Sequence, residues 1–346
     1  MANHELYMNR CQHLAKLGAG RVAPNPMVGA LLVCNEIIIG EGYHEQYGHA
    51  HAEVNCINSV AESQQYLIKA STLYVSLEPC SHYGKTPPCS SFILKHNIRR
   101  VVVACSDPFE KVDGSGIRQL RAAGVEVIEG VLEKEARELN RTFFTFHQKK
   151  RPFIVLKWAQ TMDGFISASD GKRLSISNNI SNVFTHKMRA QADAILVGTN
   201  TAFHDNPKLD TRHWPGSNPL RIVVDVALKL PAHLHLFSDG QPSVVLNFTK
   251  EEQFENVYYH KINQEHSLPA QLLSFLHKQN KQCVMVEGGS ILLQSFIDQN
   301  LWDEAVVITN TKQFIEQGLK APKLPVMAVA QQWSLIDDQI KTYRNP

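Results

Sequence analysis

Two series of strand-type segments alternating with helix-type segments, separated at Arg151-Pro152, constrain this chain more than any other feature. In the first series a helix precedes Gly18, strands follow near GALLVCNEIIIGEGY, and a helix follows His51. Further strands come at STLYVSL and RRVVVAC, with a proline-initiated helix, PPCSSFILKHNI, between them and a glycine-closed helix, GIRQLRAAG, after them. A charged helical run, LEKEARELNRTFFTFHQKK, leads to the break, and a fresh strand, FIVLKWAQTMDG, begins beyond it. The second series has strands at AILVG, LRIVVD, SVVLNF, CVMVEGG and EAVVIT, and helices at SNVFTHKMRAQAD and SILLQSFIDQN. Strands and helices in alternation point to an α/β fold. We expect two domains, 1–148 and 152–346, with the segment from Thr311 onward unassigned.

Bulk properties narrow the classes of function. The chain has 346 residues, 43% of them apolar and 20% charged, as in an ordinary globular protein, and each half is long enough to bury a core. A net charge of +2 with no clustered basic patch gives no nucleic-acid footprint, and no apolar run reaches the length of a membrane span. Seven cysteines without a disulfide-like framework suit a reducing compartment, and the first twenty residues lack the apolar stretch of a signal peptide. A cytoplasmic protein acting on a small molecule, with neither nucleic-acid nor membrane partners, is expected.

The chemistry-bearing residues of the first half lie in two short stretches. GHAHAEVNCI places His51 and Glu53 two apart at the opening of a helix, where they share a site only if His51 sits at the loosely ordered start. LEPCSHYGKTPPC carries Cys80 and Cys89 with eight residues between them. One imidazole and two thiolates are three soft ligands, and tetrahedral Zn2+ held by three protein ligands keeps a fourth position for water, the mark of a catalytic site. Glu53 is then the proton carrier and not a ligand, as in zinc deaminases with a histidine-x-glutamate followed by proline-cysteine. The remaining cysteines read as core residues. Gly84-Lys85-Thr86 is not a phosphate loop, because Pro79 stands where that motif requires glycine.

The second half lacks a dinucleotide fingerprint after a strand. The formal match at Gly18 to Ala23 follows a helix and runs into PNP, so it is rejected. CVMVEGGSILLQSF is the better phosphate-binding candidate, a strand running through Gly288-Gly289 into a helix whose amides point at the turn.

Taken together, these stretches resemble the bifunctional deaminase/reductase family of riboflavin biosynthesis. The first half carries that family's PCSHxGxTPPC loop from Pro79 to Cys89, along with RVAPNPMVGA and GYH. The second carries KWAQTMDGFISASDGKRLSIS, HKMRAQADAILVGTNTAFHDNPKLDTR, LRIVVD and VEGGSILLQSF in the family's order. The resemblance implies a cytidine-deaminase-like three-layer domain followed by a dihydrofolate-reductase-like α/β domain. It implies Zn2+ and NADPH as cofactors, deamination of a phosphoribosylaminopyrimidine and then reduction of the ribosyl chain to ribityl. It also implies a homodimer or larger assembly through the reductase half.

Carried over by position, the substrate of the first half meets Asn25, His44, His82, Lys85 and Asp107. Asp107-Pro108-Phe109 departs from the family's usual Asp-Pro-Asn. In the second half Ala159, Ser175, Thr201 and Asp205 line the NADPH site, and Gly289, Ser290, Ile291, Leu292, Leu293, Gln294 and Ser295 cradle its phosphates. Arg173, Arg189, Leu209, Arg212 and Glu287 face the substrate. Arginines suit a ribose phosphate, while Asp205 and Glu287 are placed to orient the opened sugar. Asp205 equally suits a turn before Pro207. Three other readings stay open: a base deaminase with an accessory domain, a deaminase whose second domain is degenerate, and a binding protein with structural zinc.

Overall fold

Alternate residues of the first-half strands sort into two separate cores, and that sorting makes the layers. The computed structural model describes residues 3–85, 87–110, 112–168 and 174–346, so Arg173 lies outside the described residues. The chain divides into two units, Met1–Lys150 and Arg151–Pro346.

The first unit runs α1 (His4–Ala15), β1 (Gly29–Cys34), β2 (Ile37–Tyr43), α2 (Ala52–Asn58), β3 (Thr72–Val75) and α3 (Cys89–Lys95). It continues with β4 (Arg100–Val103), α4 (Ser115–Ala122), β5 (Glu126–Glu129), α5 (Glu133–Leu139) and α6 (Arg141–Lys149). Its five-stranded sheet has the order β2-β1-β3-β4-β5, with β1 antiparallel to both neighbours and β3, β4 and β5 parallel. Leu32, Leu73, Val101 and Val103 pack against Cys56, Ile93 and Leu120 of α2, α3 and α4. The intervening Leu31, Tyr74 and Val102 pack against Met8, Ala136 and Phe144 of α1, α5 and α6 on the other face. The result is a three-layer sandwich.

Two local features seat the functional stretches. A Cβ at Gly42 would lie 2.2 Å from the Cys56 amide nitrogen, so α2 rests directly on the backbone of β2, which fixes the helix that His51 opens. The single charged helix expected before the break is two helices, parted at Asn140. The buried Asn140 side chain leaves the helical pattern to clamp Met27, accepting from its N–H at 2.8 Å and donating to its carbonyl at 2.9 Å. That clamp anchors the segment carrying Asn25.

The second unit begins with β6 (Phe153–Gln160), β7 (Phe165–Ala168), α7 (Asn179–Gln191), β8 (Ala194–Val197), α8 (Thr199–Asp205) and β9 (Leu220–Val224). It goes on through α9 (His235–Ser238), β10 (Ser243–Asn247), β11 (Glu252–Phe254), β12 (Val257–Lys261), α10 (Leu268–Lys278) and β13 (Cys283–Val286). Last come α11 (Ser290–Asp298), β14 (Glu304–Asn310), β15 (Gly318–Lys320), β16 (Gln331–Leu335) and β17 (Asp338–Arg344). A ten-stranded sheet has the order β11-β12-β10-β9-β8-β13-β6-β14-β17-β16, and its centre is parallel. Leu156, Leu196 and Val286 face α10 and α11, while Ile195, Val223 and Met285 face α8 and α9. The segment left unassigned in the sequence includes the antiparallel hairpin β16–β17, which pairs onto β14 from Glu304↔Arg344 to Asn310↔Asp338. Few apolar residues mark β16 because it is an edge strand.

Candidate active sites

In the first unit the requirement on His51 is met one residue outside the helix. His51 is the N-cap of α2 in an extended conformation (φ −76°, ψ 168°), and Glu53 lies in the first helical turn. The half-extended, half-helical path lets residues two apart address one point. Cys89 is the first residue of α3, capped by Pro88, and its N–H donates to the Cys80 sulfur at 3.4 Å. His51 Nδ1 stands 3.5 Å from Cys80 Sγ and 3.3 Å from Cys89 Sγ, and the three ligand atoms lie within 4.8 Å of one another. Tetrahedral zinc with N and S ligands at about 2.0–2.3 Å needs ligand-to-ligand edges of about 3.5 Å, so this trio fits the ion.

Glu53 is buried, and its Oε2 has no hydrogen-bond partner among the described residues. Burial pushes its carboxyl up to about 7. A hydrogen bond from Cys89, with one from His51, outweighs burial and brings Cys80 down to about 4.

The structure pairs Asn25 with His44. Asn25 Nδ2 lies 3.1 Å from His44 Nε2, and His44 Nδ1 lies 3.1 Å from the Ala50 carbonyl, so the ring donates from Nδ1 and accepts at Nε2. Burial pushes the His44 imidazole below its usual value, and the ring meets His51 edge-on at 5.2 Å. His82 stands edge-on to Phe109 at 5.7 Å, with its buried Nδ1 unpartnered among the described residues. Lys85 rests over the Tyr47 ring at 4.1 Å. Asp107 is buried, accepts from the Phe109 N–H at 2.8 Å, and is pushed up to about 7 by burial. Glu78, which no motif singled out, is a buried carboxylate that gathers backbone amides from the Asp107 loop.

The second unit gathers Arg189 of α7, Glu287 at the end of β13 and Lys157 of β6. Arg189 Nε and Nη2 donate to the two Glu287 oxygens at 2.7 and 2.9 Å, and its Nη1 reaches the Asp210 carbonyl at 3.2 Å. Lys157 Nζ is 3.7 Å from Glu287. Burial alone would raise the Glu287 carboxyl, but Arg189 and Lys157 outweigh it and bring it down to about 2. Arg189 is therefore committed to Glu287 more than a lone phosphate clamp would be. Lys157 was missed in the sequence because a single strand lysine carries no motif. Arg212 is exposed and pairs with Asp210, and His186 Nδ1 lies 4.0 Å from the same carboxylate.

Leu209 has a left-handed backbone (φ 55°) and a side chain buried in the core, so only its backbone can meet a ligand. Gly289 is the N-cap of α11, with no side-chain cap. A Cβ at Gly288 would strike Leu292 at 2.7 Å, and one at Gly289 would lie 3.4 Å from Thr201 Oγ1, which brings Thr201 to the glycine turn. Within 289–295, Leu293 is core, Gln294 binds Asp298 and Lys323, and Ser295 binds the Leu292 carbonyl. That leaves the opening turn, with Ile291 exposed, as the face toward solvent. An uncapped, glycine-lined helix start fits the pyrophosphate of a dinucleotide. Ala159 is half-buried on β6, Asp205 closes α8, and Ser175 is exposed.

Comparison with known proteins gives these arrangements a context. Residues 1–105 match the cytidine and deoxycytidylate deaminase zinc-binding region, and residues 152–313 match the RibD C-terminal domain. Fold and site thus define a zinc-dependent deaminase domain joined to a reductase domain. The riboflavin biosynthesis protein RibD of Aquifex aeolicus is 38% identical over 328 residues, covering 93% of this chain and 91% of that one. RibD of Bacillus amyloliquefaciens is 37% identical over 87% of this chain and 82% of its own. The crystal structure of a diaminohydroxyphosphoribosylaminopyrimidine deaminase/5-amino-6-(5-phosphoribosylamino)uracil reductase from Thermotoga maritima superposes with a TM-score of 0.89 at 34% identity, covering 99% of both chains. The chain belongs to the RibD family of riboflavin biosynthesis proteins.

Proposed function

We propose that this chain catalyses two consecutive steps of riboflavin biosynthesis. The first is hydrolytic deamination of diaminohydroxyphosphoribosylaminopyrimidine. The second is NADPH-dependent reduction of the ribosyl chain of 5-amino-6-(5-phosphoribosylamino)uracil to ribityl. The observation that carries the reading is the His51, Cys80 and Cys89 trio, three ligand atoms within 4.8 Å, beside a buried Glu53 whose Oε2 has no hydrogen-bond partner among the described residues.

His51 Nδ1 and the two sulfurs would hold zinc, which when bound supplies a water acidic enough to act as nucleophile near neutral pH. Glu53 takes a proton on its Oε2 and returns it to the amine that leaves as ammonia. Asn25 meets the pyrimidine with His44 fixing its amide from behind, both ring nitrogens of His44 being engaged. His82 and Asp107 contact the ring, and Lys85 swings from Tyr47 to the phosphate.

In the second unit NADPH supplies the hydride when bound. The opening turn of α11, with Thr201, Asp205, Ala159 and Ser175, holds the cofactor. Glu287, kept ionised by Arg189 and Lys157, orients the sugar chain, and Arg212 with the backbone of Leu209 holds the substrate. The domain limits are 1–148 and 152–346. The protein works as a homo-oligomer assembled through its reductase half, on the strength of the family resemblance. It is cytoplasmic; the scattered cysteines, which form no disulfide-like framework in the sequence, support that reading.

Metal analysis of the purified chain tests the site. Wild type and Glu53→Gln should each hold one equivalent of zinc, and Cys80→Ser should hold none. Glu53→Gln should release no ammonia from the diaminopyrimidine. Full ammonia release by Glu53→Gln, or by zinc-free Cys80→Ser, would sink the mechanism.

A further inference from the structure

One carboxylate that neither zinc ligation nor proton transfer uses holds the β4–α4 loop against the cysteine loop. Glu78 lies two residues before Cys80 and is 4% exposed. Its Oε2 accepts from the backbone N–H of Asp107 at 3.1 Å and of Gly114 at 3.0 Å. Its Oε1 accepts from Gly116 at 2.9 Å and Ile117 at 3.3 Å. Four amide donors satisfy both oxygens of this buried side chain.

Two further ties join the same loops. A Cβ at Gly116 would lie 1.9 Å from the Pro79 carbonyl oxygen, so the first turn of α4 touches the cysteine loop backbone to backbone. Ser81 Oγ and Ser115 Oγ are 2.5 Å apart. The clamp also reaches the substrate face. Asp107, whose amide Glu78 binds, accepts from the Phe109 N–H, and the Phe109 ring packs edge-on against His82. Glu78 therefore holds Asp107 directly, and His82 of the cysteine loop packs on Phe109 of the loop so held.

We propose that Glu78 is a positioning residue for the deaminase substrate, setting Asp107 of the β4–α4 loop and His82 of the cysteine loop against the pyrimidine by clamping the one loop onto the other. The proposal rests on the deaminase reading above. A glutamine at position 78 keeps the shape but turns one acceptor oxygen into an NH2 group facing two N–H donors, so about half the clamp is lost. Each charge-assisted bond lost corresponds to roughly tenfold or more in an equilibrium.

The test uses the full chain and the Glu78→Gln variant. It follows zinc content, KM and kcat for ammonia release, hydrogen exchange at the amides of Asp107, Gly114, Gly116 and Ile117, and NADPH oxidation with the deaminated uracil as substrate. Glu78→Gln should keep its zinc and its reductase activity. Its KM for the diaminopyrimidine should rise at least about tenfold, with a smaller fall in kcat, and the four amides should exchange at least about tenfold faster. Gly116→Ala, which pries the loops apart with Glu78 intact, should raise KM in the same way. Unchanged KM in both variants, or a defect in Glu78→Gln that added zinc fully restores, would overturn the positioning role. Absence of ammonia release by zinc-loaded wild type would sink the deaminase reading itself, and the role with it.

Discussion

Replacing Glu287 by glutamine removes the one charge that Arg189 and Lys157 share, and the loss is calculable. A carboxyl held at about 2 in place of its ordinary 4.5 contributes about 3 kcal/mol to folding at neutral pH, since each tenfold difference in proton affinity is worth about 1.4 kcal/mol. Breaking a buried ion pair by removing one partner costs about 3–5 kcal/mol, in line with that figure. Because the folded-state value is depressed, the folded state binds fewer protons than the unfolded one. The stabilisation is complete above pH 4.5 and disappears as pH falls through about 2. The gap between wild type and Glu287→Gln should therefore shrink from about 3 kcal/mol at pH 7 to about 1 kcal/mol at pH 3. Tryptophan fluorescence in urea reads this unit alone, for Trp158, Trp214, Trp302 and Trp333 are the chain's four tryptophans and all lie in Arg151–Pro346. A variant within about 0.5 kcal/mol of wild type at pH 7, or a gap that does not narrow in acid, would refute the electrostatic account.

Further expectations follow from the same unit. Burial, with Arg189, Arg212 and His213 nearby, holds His186 down at about 4, so its contribution is present above pH 6.5 and is lost as pH falls through about 4. His186→Gln should flatten the stability profile between pH 6.5 and 4 and leave the lower window of Glu287 in place, as urea midpoints across that range will show. Arg221, 1% exposed, forks onto Asp239 at 2.7 and 2.8 Å and also donates to the Gln241 carbonyl. Arg221→Met should cost about 3 kcal/mol by urea unfolding, and adding Asp239→Asn should recover part of it.

How much of this was legible in the sequence depended on whether a feature is local. The zinc trio could be read because histidine, two cysteines and a glutamate in short motifs announce their chemistry by residue type. Even there, the sequence posed the facing problem of His51 and Glu53 without solving it, because the answer is a backbone conformation at the helix N-cap. Glu78 was invisible for a different reason. Its four partners are main-chain amides up to 39 positions away, and an amide has no residue identity to read. Asn140 was hidden in a helical pattern, since its clamp on Met27 spans 113 positions. Arg189 and Glu287 were each placed at the substrate, yet nothing in the sequence showed that they bind one another across 98 positions. The β16–β17 hairpin escaped because β16 is an edge strand without the buried apolar run that betrays the parallel strands beside it.

The most direct measurement of the central claim is NADPH oxidation by the purified chain when the diaminopyrimidine is added, with ammonia followed in the same cuvette. Wild type should release ammonia and oxidise NADPH in equal amounts. Glu53→Gln should do neither from that substrate, yet oxidise NADPH when given the deaminated uracil. Ammonia released by wild type with no NADPH consumed, or NADPH oxidised from the diaminopyrimidine by Glu53→Gln, would contradict the two-step account.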